Sequence, residues 1–327
     1  SASMSNFLGY GKNLNFNLEK TNLVHNYVFN YLDPNFVVNN NKFFSNIGMG
    51  YNIKINNNVV LKNKKQNDYS TNISGCSIFF NILYYKYNQI NFEIGYEKTK
   101  LNMDLYNIKG SNVVCLYFLQ NIHVTGNCFF EYYFNLSFKY NSFDKTLFTN
   151  NGLFYNINFK TTLPHSNMSY YQINFNYNYF KLFLNKYVIN LFGHIKYGGI
   201  YNYFYPYPFF KNYFFSGVNG VRGFEDKSLG PKINKGDKKL SLGGNYSFLF
   251  KFSCFLSQFY GLSNIRPGLF FDIGQIYDTI NYKSYNVEKI INPNCIKFSI
   301  GLTFIWSTPF GIPLEISFVK PFNVEFY

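Results

Sequence analysis

The chain has 327 residues, of which 23% are aromatic and only 14% are charged, against about 25% charged in an average globular protein. Because Asn and Tyr alternate with Phe, Ile and Leu instead of forming polar blocks, this composition excludes a disordered tail and a helical bundle. The net charge is +14, but the lysines are scattered and Lys, Asn, Ile, Phe and Tyr share A/T-rich codons. A compositional bias therefore explains the charge better than a nucleic-acid partner does.

Apolar and polar residues alternate with a period of two along most of the chain. In FFEYYFNLSFKY (129–140), the even positions are aromatic or aliphatic, whereas most odd positions are polar. This is the pattern of a β-strand with two different faces. We predict about thirteen strands, near residues 13–20, 25–32, 44–55, 74–86, 91–99, 128–140, 151–163, 168–184, 188–201, 242–256, 265–276, 295–307 and 311–321.

The length of these segments favours a membrane protein. Strands of soluble proteins average about five to six residues, whereas a tilted strand that crosses a bilayer needs about nine to eleven, as most of these segments have. In an outer-membrane barrel, the apolar face meets lipid, the polar face lines the lumen, and closure leaves no unpaired edge. We therefore predict an all-β fold, an antiparallel transmembrane β-barrel. A soluble β-sandwich is the alternative.

The predicted connections alternate between short and long, as they do in such barrels. STPFG (307–311) and TTLPHSN (161–167) are predicted as tight turns. Long loops are predicted at 55–73, 100–127, 202–241 and 277–294, the first with Lys62, Lys64 and Lys65 in a solvated segment. No domain boundary is evident, so residues 1–327 are predicted to form one domain.

Cysteine and histidine spacing predicts no metal site, no disulfide framework and no cofactor. The cysteines do not form a CxxC pair and do not lie close in sequence to a histidine. Most of the five are predicted to be small apolar residues on strand faces; they are Cys76, Cys115, Cys128, Cys254 and Cys295. The start, SASMSNFLGYG, lacks the charged and apolar regions of a signal peptide.

The longest predicted loop contains GVNGVRGFEDKSLGPK (217–232), with one of only two arginines in the chain. VRGF followed by SLGPK resembles the loop of the outer-membrane assembly-factor (bacterial surface antigen) family, whose barrels insert other barrels into membranes. Further stretches resemble that family in the same order along the chain. They are NFLGYGKNLNFN with NYVFNYLDPNF, IRPGLFFDIGQIYDT, and SIGLTFIWSTPFGIPLEISFVKPF. The tetrapeptide alone is a weak motif, but colinear matches over almost the whole chain are specific.

The resemblance implies a barrel of about sixteen strands, of which about thirteen to fourteen lie in this chain, with the long loop folded into the lumen. It also implies that the chain is truncated at both ends and that the family's N-terminal POTRA modules are absent from it. These are expectations from the alignment of the motifs.

The resemblance further implies a loop lock, in which Arg222 pairs with Asp272 of the strand FFDIG. A planar guanidinium binds a carboxylate through two parallel hydrogen bonds that lysine cannot reproduce. Gly223 permits a positive φ, and Val221 and Phe224 complete the motif, with Phe224 as an apolar anchor. None of these residues is expected to be catalytic or to bind metal.

Two positions depart from the family pattern or have a plainer interpretation. The family's second acid falls at Ser253, so we expect one carboxylate of the lock to be missing and Ser253 to be a weakened partner. The other arginine, Arg266, begins the strand that carries Asp272, and we expect it to be a rim residue at a turn.

As function, the resemblance implies a non-enzymatic insertase in the bacterial outer membrane. It would receive unfolded outer-membrane proteins, template a strand by β-augmentation and release clients into the lipid bilayer, together with accessory lipoproteins and without nucleic acid. One alternative is a passive porin or a small-molecule or protein translocation channel of the same barrel class. Another is the mitochondrial counterpart, the sorting and assembly barrel, in the mitochondrial outer membrane. A soluble binder of single-stranded nucleic acid and a hydrolase are less compatible with the pattern.

Overall fold

The computed structural model describes residues 2–20, 24–33, 46–63, 66–84, 87–103, 127–201, 207–215, 220–235, 238–257, 264–280, 290–291, 293, 295–308 and 313–323. The predictions for Cys115 and for the loop segments 104–126, 202–206, 216–219, 236–237 and 281–289 lie outside these ranges. Apart from a 3₁₀ turn at Phe209–Lys211, the elements are strands. Among the described residues, no helix has the length and apolar character of a membrane span.

Fourteen strands form one sheet. They are β1 (Ala2–Phe7), β2 (Lys12–Lys20), β3 (Val24–Asp33), β4 (Asn46–Asn63), β5 (Gln66–Tyr84), β6 (Asn88–Met103), β7 (Cys128–Asn141), β8 (Gly152–Thr162), β9 (Tyr170–Phe183), β10 (Tyr187–Ile200), β13 (Tyr246–Leu256), β14 (Ile265–Tyr277), β16 (Lys297–Ser307) and β17 (Pro313–Phe322). Each strand pairs antiparallel with its neighbours in this order, and within the described chain the sheet ends at β1 and β17. A small sheet has the order β12–β11–β15, made of β11 (Lys232–Lys235), β12 (Lys238–Ser241) and β15 (Ile290–Ile291).

Each predicted strand is present, as β2–β10, β13, β14, β16 and β17, and β1 is added at the start. The predicted loop at 55–73 is wrong, because β4 and β5 continue through it and pair as far as Asn63 with Gln66. Main-chain pairing holds this hairpin together, and pairing does not depend on apolar side chains. Lys62 therefore lies in a strand, whereas Lys64 and Lys65 lie outside the described residues.

The two faces of the sheet differ as a membrane barrel requires. On β16, the apolar Ile300, Leu302 and Phe304 are exposed, and they alternate with the buried Ser299 and Thr303. On β14, Leu269 and Phe271 are likewise exposed around a buried Phe270. In a soluble sandwich, the apolar face would be the buried one, so this inverted order indicates that the outer face meets lipid.

Asparagine side chains form hydrogen-bonded rows across the inner face. Asn158 Nδ2 donates to Asn135 Oδ1 at 2.7 Å, and Asn190 Nδ2 donates to Asn178 Oδ1 at 2.7 Å. An amide carries both donors and acceptors, so adjacent strands satisfy each other without charge. The Asn-rich composition is thus explained at these positions by a polar lumen wall.

The connection between β10 and β13, residues 201–245, is called the lumenal loop below, and its described parts at 207–215 and 220–232 lie against the inner face of the sheet. It contacts β6 and β7 on one side and β14 and β17 on the other. A single loop can reach both groups of strands only if the sheet curves around it. The sheet therefore encloses a lumen.

The strand directions define two rims. The three longest connections follow β6, β10 and β14, which run in the same direction, so they leave from one rim. The connections β5–β6, β7–β8 and β9–β10 lie at the opposite rim. Outer-membrane barrels have long loops outside and short turns toward the periplasm, so we call these the outer rim and the periplasmic rim.

Candidate functional site

The VRGF segment of the lumenal loop is fixed to the barrel wall by a bidentate ion pair. Arg222 Nε donates to Asp272 Oδ2 at 2.7 Å, and Arg222 Nη2 donates to Asp272 Oδ1 at 2.7 Å. The backbone N–H of Arg222 adds a longer bond of 3.3 Å to the same carboxylate. Asp272 has no exposed surface, and the guanidinium carbon lies 3.5 Å from the ring centroid of Phe270. The side chains predicted to form the lock are therefore in contact, and their role stays a prediction.

A second carboxylate also binds Arg222, but it comes from a strand that the motif comparison did not indicate. Arg222 Nη1 donates to Glu315 Oε1 on β17 at 3.0 Å. Thr303 Oγ1 and Ser317 Oγ donate to the same oxygen. The expectation that Ser253 leaves the lock without the family's second acid stays a prediction, and Glu315 supplies Arg222 with a second carboxylate from another strand. Its signal in the sequence was a lone acid in the apolar segment PLEISFVKPF.

Ser253, the position of the family's second acid, is buried on β13 and pairs across the sheet with Phe270. Nothing in the described chain joins its hydroxyl to Arg222. The β13 residue opposite Asp272 is Lys251, whose positive charge lies within electrostatic range of Asp272 and Arg222. The β13 wall beside the lock therefore presents a neutral Ser253 and a cationic Lys251.

The other residues of the motif shape the turn around the ion pair. Gly223 has a φ of 85°, and a Cβ there would lie 2.8 Å from Val319 Cγ1 of β17. Both the backbone conformation and the close approach favour glycine. Val221 is buried in an apolar cluster with Leu249 and Ile276 of the wall, and Phe224 packs against that cluster.

Arg266 has more contacts than a rim position predicts. It is only 5% exposed, and its guanidinium contacts the β7–β8 turn. Its Nη1 donates to the carbonyl of Thr149 at 2.9 Å, and its Nη2 donates to the carbonyl of Phe148 at 3.1 Å and to Asn150 Oδ1 at 2.7 Å. Both arginines of the chain thus hold connecting segments inside the barrel.

A second set of contacts holds the lumenal loop on the opposite wall. Lys211 Nζ lies 2.5 Å from Glu97 Oε1 and 3.1 Å from Glu131 Oε1. Lys160 Nζ lies 2.9 Å from the same oxygen of Glu131, and the hydroxyl of Tyr170 donates to its other oxygen at 2.8 Å. We call these five side chains the lysine cluster. They come from the loop and from β6, β7, β8 and β9.

The charge of Lys211 is stabilised in place. Burial alone would lower the pKa of Lys211, but the carboxylates of Glu131 and Glu97 raise it well above its ordinary value. The two glutamates balance the two lysines, so the cluster is neutral as a whole. Sequence reasoning missed this cluster, although Glu131 was visible as an acid on a strand face.

Among the described residues, no group of three or more His, Cys, Asp or Glu side chains could hold a metal ion. The described cysteines, Cys76, Cys128, Cys254 and Cys295, form no disulfide. Cys76 and Cys254 lie on strands, as predicted, and Cys128 begins β7.

An antiparallel sheet with a lipid-facing apolar surface, a polar lumen and a loop braced inside it defines an outer-membrane β-barrel. The Omp85 superfamily domain matches residues 6–326, and the chain belongs to that superfamily. The predicted fold class, an antiparallel transmembrane β-barrel, is confirmed, as is the resemblance to the assembly-factor family. The predicted location in the bacterial outer membrane is confirmed.

The chain is similar to the outer membrane protein assembly factor BamA of Neisseria meningitidis serogroup B, with 23% identity over 98% of this chain. It also superposes on the crystal structure of BamA from Haemophilus ducreyi lacking POTRA domains 1–3, with a TM-score of 0.82 and 23% identity over 99% of this chain. The chain spans 42% of the Neisseria protein and 63% of the Haemophilus chain.

Proposed function

We propose that this barrel is the membrane domain of an outer-membrane protein insertase. Its clients are unfolded outer-membrane proteins that arrive from the periplasm, and main-chain hydrogen bonding at a strand edge provides the templating force. Accessory lipoproteins of an assembly complex are its proposed partners. The barrel acts by positioning chains and makes or breaks no covalent bond.

The observation that carries this proposal is the bracing of the VRGF segment by Arg222, Asp272 and Glu315 inside a barrel of this family. The lock joins the lumenal loop to β14 and β17 through two carboxylates. A loop held in this way can transmit the state of the lumen to the wall strands, which an insertase needs in order to couple client arrival to strand templating.

A passive porin is the weaker candidate for a physical reason. The lumenal loop occupies the lumen and is fixed on both walls, at the lock and at the lysine cluster. An open diffusion path requires a lumen that is free of such a plug. A porin also has no need of a buried bidentate ion pair at the tip of its loop.

The proposal can be tested in cells whose growth depends on the full-length protein. We expect Arg222→Lys and Asp272→Asn to slow the assembly of a reporter barrel several-fold, because each change removes the bidentate pairing of the loop. The measurement is the fraction of reporter that becomes heat-modifiable in the outer membrane after a pulse of synthesis.

Glu225→Gln is the matched control, since Glu225 is an exposed acid of the same loop that lies outside the lock. Protein levels of each variant are measured in parallel. Wild-type assembly by both lock variants at equal protein levels would contradict a role of the lock. Reporter assembly that persists after depletion of the whole protein would contradict the insertase function itself.

A further inference from the structure

A cavity of about 810 Å³ lies in the lumen between the lumenal loop and the periplasmic rim. Arg222 and Glu315 border it on the side of the lock. Phe148 and Thr149 of the β7–β8 turn, which Arg266 holds, border it at the rim. Its volume is within the range of about 300–1,000 Å³ that is typical of ligand sites.

The lining of this cavity is strongly cationic. Among its described lining residues are the cationic side chains of Lys196, Arg222, Lys251 and Arg266 and one carboxylate, that of Glu315, while Asp272 behind the lining binds Arg222. Glu315 already binds Arg222. The positive potential of the remaining side chains is therefore directed into a partly desolvated space, where it attracts an anion.

Two of these cations lack a carboxylate within ion-pair distance in the described part of the chain. Lys196 on β10 contacts the ring of Tyr213, with its Nζ 5.3 Å from the ring centroid. Arg266 is bound to carbonyl oxygens and an amide, and its buried Nε has no hydrogen-bond partner. Asp144 of the same turn interacts with Arg266 only at longer range. A buried unsatisfied donor is a specific sign that an acceptor is missing.

The remaining walls favour a polypeptide over a lipid. Asn176, Asn178 and Asn190 provide amides that can bond to the peptide groups of an extended chain. Rings of Phe180 and Phe192 between them can take apolar side chains. Acyl chains would instead need an uninterrupted apolar wall.

We propose that this cavity is a binding site for an extended polypeptide segment that carries a carboxylate between apolar side chains. The segment enters from the periplasmic rim past Arg266, whose Nε can donate to one of its peptide carbonyls. Its carboxylate is bound near Lys196, and its other peptide groups face the asparagines. The inference rests on the proposed function, since an insertase receives such segments as parts of its clients.

The test is the binding of a fluorescein-labelled pentapeptide that alternates phenylalanine and aspartate to the purified full-length protein in detergent micelles. Fluorescence anisotropy gives the Kd. We expect the acidic peptide to bind at least tenfold more tightly than its analogue with asparagine in place of aspartate. Because the neutral analogue partitions into micelles more strongly than the charged peptide, the anisotropy of each peptide in protein-free micelles is subtracted before the Kd values are compared.

Variants of one lysine make the result specific. We expect Lys196→Gln to weaken binding of the acidic peptide about tenfold and Lys196→Arg to retain it, because the arginine keeps the charge. Lys181→Gln is the matched control, since Lys181 is exposed at the end of β9 and does not line the cavity. Circular dichroism verifies that each variant keeps its β-structure.

Equal affinity for the acidic and the amide peptide, or equal affinity of wild type and Lys196→Gln, would overturn the site. A short-chain anionic phospholipid is added as a competitor. If the phospholipid displaces the labelled peptide at lower concentrations than the unlabelled peptide does, and this displacement requires Lys196, the cavity binds a lipid headgroup. That result would overturn the proposal. Peptide binding is measured without reporter assembly, so a failed insertase function and a failed site give different results.

Discussion

At the scale of residues, Arg222 has two carboxylate partners whose contributions are unequal. Asp272 is fully buried and accepts three hydrogen bonds from Arg222, whereas the side chain of Glu315 is 38% exposed and accepts one. Breaking a buried pair leaves an uncompensated charge, at a cost of about 3–5 kcal/mol. A solvent-screened pair contributes about 1 kcal/mol or less.

We therefore expect Asp272→Asn to raise the rate of trypsin cleavage in the lumenal loop, after Lys227, at least a hundredfold. Glu315→Gln should raise it less than tenfold. The measurement is limited proteolysis of the purified barrel, which follows the population of the opened loop when opening is rapid. Glu225→Gln controls for the loss of an acid in the loop. A larger effect of Glu315→Gln than of Asp272→Asn would reverse this ranking of the two partners.

At the scale of elements, the lumenal loop is attached to two opposite walls. The lock joins it to β14 and β17, and Lys211 of the lysine cluster joins it to β6 and β7. The β7–β8 turn is held from β14 by Arg266 in the same manner. Each of these connecting segments is thus fixed by charge-assisted hydrogen bonds to strands that are distant in the sheet.

The lysine cluster permits a matched comparison. Lys211 and Lys160 bind the same carboxylates, but only Lys211 belongs to the loop. We expect Lys211→Gln to speed amide hydrogen exchange in residues 207–215 about a hundredfold, because hydrogen bonds to charged groups contribute about 1.5–3 kcal/mol each. Lys160→Gln should affect mainly β7 and β8. Equal protection of the loop in wild type and Lys211→Gln would show that the cluster does not anchor it.

At the scale of the whole molecule, the apolar side chains lie on the outside. Leu302 is exposed near the middle of β16, and Leu314 is exposed close to the end of β17. In a membrane barrel, a charge on the lipid face costs about 2–4 kcal/mol at the bilayer midplane and about 0–1 kcal/mol near the interface. In a soluble protein, neither change would matter much.

We accordingly expect Leu302→Arg to lower the free energy of unfolding from lipid vesicles by about 2–4 kcal/mol and Leu314→Arg to lower it far less. Denaturant titration followed by the fluorescence of Trp306, the single tryptophan of the chain, gives both values. If the two variants had equal stability, the depth of these strands in the membrane would have to be reassigned.

Much of the fold was predictable because strand alternation is a local property. β7 and β14, for example, show their two faces directly in FFEYYFNLSFKY and IRPGLFFDIGQIY. The hairpin of β4 and β5 was mistaken for a loop at 55–73, since an Asn-rich ribbon is held by main-chain pairing that leaves no apolar pattern.

Contacts of the site could be predicted from the sequence only where both partners lie in recognisable motifs. Arg222 and Asp272 lie in recognisable stretches, whereas Glu315 and Lys211 meet their partners through the curvature of the whole sheet. Sequence separation from Arg222 to Glu315 is 93 residues, and no local pattern encodes a contact over that distance. The contacts of Arg266 with the β7–β8 turn were missed for the same reason.

The length of the β4–β5 hairpin has a mechanical consequence. The strands have 18 and 19 residues, so at about 3.3 Å per residue they exceed what a tilted strand needs to cross about 30 Å of hydrocarbon. The surplus stands beyond the outer rim as a paired ribbon, continuous with two strands of the wall. Such a ribbon works as a lever, because a small rotation of β4 and β5 moves its far end through a larger arc. A fluorescent dye attached there would report wall movement as a change in distance to the membrane surface.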